Sequence, residues 1–278
     1  MTSSFVNAPN QYITASDGTR YAYRVVGEAG TPLVCLQHFT GTMDSWDPMV
    51  IGLLARNRRV IVFDSAGVGA SGGRVPDTVE GMTIHAEAFI HALGTGEVDL
   101  LGFSLGGFIA QAMAARRKVP VRRIISAGSA PQGGEEHLLQ VVAEAFAKGA
   151  SDVRLPLFFT PSARSQSAGA AFIARAAVRT AERDPDSDDT VSAAQATAII
   201  GWCAADARDH ALLRSIEQPT LIVHGSDDTM FPVVNAYEMF KHMRDATLIL
   251  YPDSGHGALF QFPETFAFHA NVFLTARS

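Results

Sequence analysis

The sequence predicts an α/β protein with a mostly parallel sheet, helices on both faces and an inserted helical lid. Two observations predict it. Short continuous apolar runs, among them "TPLVCLQH", "RRVIVFD", "VDLLGF", "RRIISAG", "PTLIVHG" and "ATLILYP", alternate with helical patterns over most of the chain. Such runs suit strands covered on both faces, and strand–helix alternation builds a parallel sheet with its sites at the carboxyl ends of the strands. Between the fourth and fifth of these runs lies a long stretch with no strand signal, rich in Ala and Ser.

In order along the chain, "RYAYRVVGE" interleaves polar and apolar residues, as an antiparallel strand does. "PDTVEGMTIHAEAFIHALG" opens with a capping-box pair, Asp77 and Glu80. It then spaces Val79, Met82, Ala86, Phe89, Ile90 and Leu93 helically and closes at Gly94. A second helix, "GGFIAQAMAARRK", follows Ser104 directly. Helical patches such as "HLLQVVAEAFAKG" and "AGAAFIARAAVRTAERD" fill the strandless stretch. The expected division is a core of residues 1–131 and 216–278 with a lid at 132–215. The acidic loop "ERDPDSDD" lacks the spacing and the glycine of a calcium loop, so a solvated connection between lid helices is expected there.

With 278 residues the chain suits one large domain, or a core with an insertion. Its 28 acidic and 22 basic residues give a net charge of −6, with no Lys/Arg stripe, which argues against nucleic acid as partner. The opening "MTSSFVNAPNQYIT" has neither basic nor apolar signal-peptide regions, and no apolar run reaches membrane-spanning length. Cys35 and Cys203 sit among apolar residues and read as reduced. A cytoplasmic protein with no membrane partner is expected.

The chemistry concentrates at Gly102-Phe103-Ser104-Leu105-Gly106, between a strand and a helix. In that context G-x-S-x-G is a nucleophile elbow: the serine sits on a strained turn, and glycines let neighbouring backbone pass close by. A serine hydroxyl needs a base and a group that orients the base. His256, on the turn of "GHG", is the candidate base, and Asp228 in "GSDDTMFP" the candidate orienter, with Asp227 its rival. Ser104, Asp228 and His256 each follow a different predicted strand, which brings all three to one edge of the sheet. The backbone N–H of Leu105, directly after the nucleophile, would bind a developing oxyanion. The remaining histidines show no metal-ligand spacing, so neither metal nor cofactor is expected; His224 is expected to brace the Asp228 turn.

These motifs resemble the α/β-hydrolase family over essentially the whole chain, in the order Ser104, Asp228, His256. The loop "DSAGVGASG" at 64–72 matches as well. The resemblance implies that fold, a helical lid and serine-dependent hydrolysis. Relatives that open epoxides or remove halide carry aspartate at the elbow, and Ser104 argues against both activities. Family members usually show His-Gly before the second oxyanion donor, as in His-Gly-Phe-x-Gly. Here Gln37 and His38 replace the His-Gly, and the resemblance assigns the donor to the Phe39 N–H. His38 then either contacts substrate or braces the loop. "QHFTGTMDSWDP" with "DSAGVGASGG" is also similar to serine esterases that open macrolide rings.

Aromatic residues of the lid and catalytic turns suggest an apolar pocket for a medium-to-large ester or lactone. His38, Phe103, Phe159, Trp202, Met230 and Phe231 are the expected substrate-binding residues. Carbon–carbon bond hydrolysis, acyl transfer, perhydrolysis and a slow-turnover receptor role remain open with the same three residues.

Overall fold

The computed structural model describes residues 4–149, 152–207 and 209–276. Eight strands form one sheet: Gln11–Thr14 (β1), Arg20–Val26 (β2), Leu33–Leu36 (β3), Val60–Phe63 (β4), Val98–Phe103 (β5), Val121–Ala127 (β6), Thr220–Gly225 (β7) and Ala246–Tyr251 (β8). Their order is β1-β2-β4-β3-β5-β6-β7-β8. β2 pairs antiparallel with β1 and β4, and every pairing from β4 through β3 to β8 is parallel. Every residue of β3, β4, β5 and β7 is buried, which is why these strands read as unbroken apolar runs. β1 carried no such signal, because only Ile13 of its residues is even half-buried.

The helices are Pro48–Leu54 (α1), Val79–Leu93 (α2), Leu105–Arg116 (α3), Leu138–Ala147 (α4), Arg154–Phe158 (α5), Ala163–Ala176 (α6), Asp189–Cys203 (α7), Ala211–Ser215 (α8), Val234–His242 (α9), Ala258–Gln261 (α10) and Pro263–Thr275 (α11). α1 packs on α11, and α2 packs on α3. α3 is buried continuously from Leu105 to Ala114, so it is apolar all round rather than striped. α2 ends as expected at Gly94 in the left-handed conformation, but its cap is Thr78, whose hydroxyl accepts the Gly81 N–H. The Asp77–Glu80 pairing is thus corrected by one residue: Thr78 takes the extended conformation of an N-cap. No helix among the described residues is long and apolar enough to cross a membrane.

Between β6 and β7 the chain forms α4 to α8, with no strand among its described residues. Buried and half-buried ion pairs fasten this region to the sheet side. Arg175 on α6 grips Asp47, the cap of α1, at 2.6 Å. Arg24 on β2 pairs with Asp44 at 2.6 Å and with Asp184 at 3.2 Å. The expected solvated loop is therefore wrong at Asp184, which is buried and also accepts the Asp44 N–H. Hydropathy marks an Asp as solvated; it cannot see an arginine that lies 160 residues away in sequence.

Candidate active site

Ser104 is the single residue between β5 and α3, with φ 57° and ψ −119°. A non-glycine residue at positive φ is strained, and such strain survives only where the surroundings fix it. Here the Ser104 N–H donates to the Ala127 carbonyl at 2.9 Å and its own carbonyl accepts the Gly107 N–H at 2.8 Å. The glycines on either side are steric necessities. A Cβ at Gly102 would overlap the Gly106 carbonyl, and one at Gly106 would overlap the Leu36 carbonyl at the end of β3. Close packing of that kind sets the elbow against the loop that follows β3.

Asp228 follows β7 and His256 follows β8, and their side chains meet: His256 Nδ1 lies 2.8 Å from Asp228 Oδ2. Asp228 Oδ1 accepts the backbone N–H groups of Met230 and Phe231 at 2.9 and 3.0 Å. His224, on β7, reaches the Phe231 carbonyl at 2.8 Å and Asp228 Oδ2 at 3.3 Å, and so braces the turn as expected. Burial opposes the ionised carboxylate, yet the His256 charge and the hydrogen bonds from His224 and His256 hold Asp228 well below the usual carboxylate range. An ionised Asp228 makes His256 Nδ1 the donor, which leaves Nε2 as the basic nitrogen. The rival Asp227 is exposed, and among the described residues its carboxylate accepts only from the neighbouring Ser226 hydroxyl.

The loop after β3 is shaped by its own side chains. Gln37 Oε1 accepts the His38 N–H at 2.9 Å, while Gln37 Nε2 donates to the Thr42 carbonyl at 2.7 Å. Gly41 is required there, since a Cβ would overlap the Gln37 side chain. His38 is buried between Phe103 and Phe158, with ring centroids 5.3 and 5.5 Å away. Its Nδ1 donates to the Phe39 carbonyl at 2.8 Å, so the neutral ring keeps its lone pair on Nε2. Desolvation pushes its pKa down to about 3. The Phe39 N–H has no hydrogen-bond partner among the described residues. Leu105, as first residue of α3, likewise presents an N–H without an intrahelical acceptor.

Ser104, His256, His38, Phe39 and Met230 line one cavity of about 560 Å³. Its other walls come from the β6–β7 region: Leu138, Leu139, Val142 and Phe146 of α4, Leu157 and Phe158 of α5, and residues of α7. Among the described residues, Arg154 is the only cation in this lining, and Asp152 engages it at 2.6 Å. Of the expected substrate-binding residues, His38 and Met230 reach the cavity and four do not. Phe103 and Phe231 pack behind His256, at 5.0 and 5.5 Å between ring centroids. Phe159 turns away onto Phe172, and Trp202 stacks on Phe108 outside the cavity. Phe158 stands where Phe159 was expected, because adjacent residues at the end of a short helix face different ways.

Two residues that the sequence reading passed over hold the loop in place. Thr40 has φ 59°, and side chains of the β6–β7 region bind both its backbone groups. Gln195 Oε1 accepts the Thr40 N–H at 2.6 Å, and the Ser187 hydroxyl donates to the Thr40 carbonyl at 2.8 Å. Gln195 was detectable. It occupies the buried face of α7 with Val191, Ala198, Ile199 and Trp202, where a polar side chain needs a partner.

A sequence profile described as the alpha/beta hydrolase fold matches residues 31–263. The chain belongs to the alpha/beta hydrolase fold family. Its structure is similar to that of an alpha/beta hydrolase fold protein from Chitinophaga pinensis, with TM-score 0.91 and 42% identity over 99% of this chain and 100% of that one. It is 29% identical to a non-heme haloperoxidase from Rhodococcus erythropolis over 262 residues, 88% of this chain and 92% of the relative. It is 28% identical to a pimeloyl-[acyl-carrier protein] methyl ester esterase from Nitrosomonas europaea over 250 residues, 85% and 93% of the two chains. The eight-stranded, mostly parallel sheet and the strand–elbow–helix at Ser104 are those of an alpha/beta hydrolase.

Proposed function

We propose that this alpha/beta hydrolase cleaves carboxylic esters or lactones, with Ser104 as nucleophile, His256 as base and Asp228 as the group that orients it. One observation carries the reading. His256, paired with Asp228 at 2.8 Å, shares a cavity with a serine held on a strained turn. Ser104 attacks the carbonyl carbon while His256 Nε2 takes the hydroxyl proton, and Asp228 stabilises the imidazolium. The tetrahedral oxyanion binds to the N–H groups of Phe39 and Leu105. The leaving alcohol receives the proton from His256, and water then cleaves the acyl-enzyme by the same steps.

In this reading residues 132–215 form a lid over the core of residues 1–131 and 216–278, and they supply most of the apolar wall. That wall, with its one cation already paired, favours a medium-to-large and largely apolar substrate over a phosphorylated or dicarboxylate one; a macrolide lactone is within this class. Wild-type protein should hydrolyse p-nitrophenyl esters and a series of lactones of rising ring size, and should be labelled by a fluorophosphonate. Ser104→Ala should do neither; hydrolysis or labelling that survives this change sinks the proposal. The likeness to a haloperoxidase favours a second test. Hydrogen peroxide intercepting the same acyl-enzyme would form a peracid, measured as halide oxidation that depends on a carboxylic acid.

A further inference from the structure

Histidine spacing along the chain points to no metal, but the fold assembles a ligand set that linear spacing hides. His210 is the N-terminal cap of α8, with φ 51°. Glu238 and His242 stand one turn apart on α9 and face it. His242 Nε2 lies 3.1 Å from Glu238 Oε2, and His210 Nε2 lies 3.7 Å from the same oxygen. One ligand atom from each of the three lies within 4.8 Å of the others. Donors placed tetrahedrally at about 2.0–2.2 Å from a zinc ion are roughly 3.3–3.6 Å apart, and the observed separations of 3.1 and 3.7 Å fall on either side of that range.

The unmetallated arrangement is poorly matched. The two imidazoles stack with centroids 3.9 Å apart and planes 15° from parallel, so double protonation places like charges face to face. One carboxylate serves both rings, and His210 Nδ1 is buried with no hydrogen-bond partner among the described residues. Asp209 adds negative potential at His210, and Arg214 opposes it.

We propose that His210, Glu238 and His242 form a binding site for a borderline divalent cation, zinc above all. Two imidazole nitrogens and one carboxylate oxygen suit Zn²⁺, Ni²⁺ or Cu²⁺ and not Mg²⁺ or Ca²⁺, which prefer all-oxygen sets. The side chains are 16–31% exposed, which leaves a fourth position to water. None of the three lines the Ser104 cavity. The ion would clip the end of the helical β6–β7 region to α9, the helix that follows the Asp228 turn. Its role is structural, and it takes no part in the hydrolysis proposed above.

Metal-free full-length protein titrated with zinc sulfate at neutral pH should take up one equivalent, by calorimetry. Substituting Co²⁺ should give the visible absorption of a four-coordinate ion. Affinity should fall at least about tenfold in His242→Ala and in Glu238→Gln. At a hundredfold excess over the wild-type Kd, zinc should raise the wild-type Tm by a few degrees and that of the variants by about half as much or less. Glu238→Gln keeps a helix-forming side chain on a surface helix, so it remains informative if His242→Ala is poorly folded. Absence of saturable binding below millimolar zinc overturns the proposal, as does equal binding by wild type and both variants.

Discussion

Arg24 and Asp184 join β2 to the loop before α7 through side chains that are completely buried, 3.2 Å apart. Asp44 completes the cluster: it bonds Arg24, and its carboxylate and that of Asp184 each accept the other residue's backbone N–H. Removing one member of a buried ion cluster strands the others without a partner, and typically costs about 3–5 kcal/mol. Asp184→Ala should therefore lower unfolding stability in urea by about 3 kcal/mol. Asp184→Asn should cost less, because burial and the neighbouring Asp64 and Asp44 already push this carboxyl toward its neutral form, and the amide oxygen still accepts from Arg24. A loss below about 1 kcal/mol in the alanine variant would show that the cluster contributes little.

Asp228→Asn tests the proposed base directly. Two backbone donors, from Met230 and Phe231, hold one oxygen of this side chain. The amide oxygen should stay with them, turning the NH₂ group toward His256 Nδ1. That forces the imidazole proton onto Nε2, where it blocks removal of the serine proton. The kcat for ester hydrolysis should drop about 1,000-fold or more while the fold is kept. Unchanged turnover would rule out the orienting role.

His38 should leave a signature in stability rather than in charge. Its pKa falls from 6.5 to about 3 in the folded chain because burial disfavours the imidazolium. Below pH 6.5 the unfolded chain takes up a proton that the folded one refuses, so this residue's contribution is fully present above 6.5 and declines as pH falls toward 3. Compared with His38→Asn, whose amide can still donate to the Phe39 carbonyl, wild type should lose more stability between neutral pH and pH ~4.5. Parallel stability curves for the two proteins would contradict a buried neutral His38.

Gln195→Ala removes the acceptor of the Thr40 N–H, one residue from the proposed oxyanion donor Phe39. Loosening the position of one such donor should cost turnover more than binding. A fall in kcat of about tenfold with KM changed less than threefold is expected, smaller than the loss of a donor outright. A pure KM effect would place Gln195 in substrate binding instead.

The sheet and the elbow were legible because their causes are local. Full burial on both faces writes itself as apolar runs, and the strained turn needs glycines at fixed offsets around Ser104. The meeting of Asp228 with His256 was legible for a related reason: each follows a strand and so reaches the same edge. What escaped depends on long-range partners or on which way one side chain turns. Asp184 reads as solvated until Arg24 is placed beside it. Phe158 and Phe159 are indistinguishable in sequence, yet only the first faces the cavity. His210 and His242 belong to different helices, so no motif relates them.

Thr40 has a consequence for the order of events in a catalytic cycle. Its N–H and its carbonyl are both committed to side chains from the far side of the cavity, Gln195 and Ser187. Without them a threonine at φ 59° has reason to relax. Swinging α7 and the loop before it outward to admit a bulky molecule would release both bonds, so under the proposed mechanism the wide-open protein would also be the chemically idle one. Under the proposed mechanism entry and reactivity would then alternate, and the scissile bond would meet a formed oxyanion site only after the door had shut behind it.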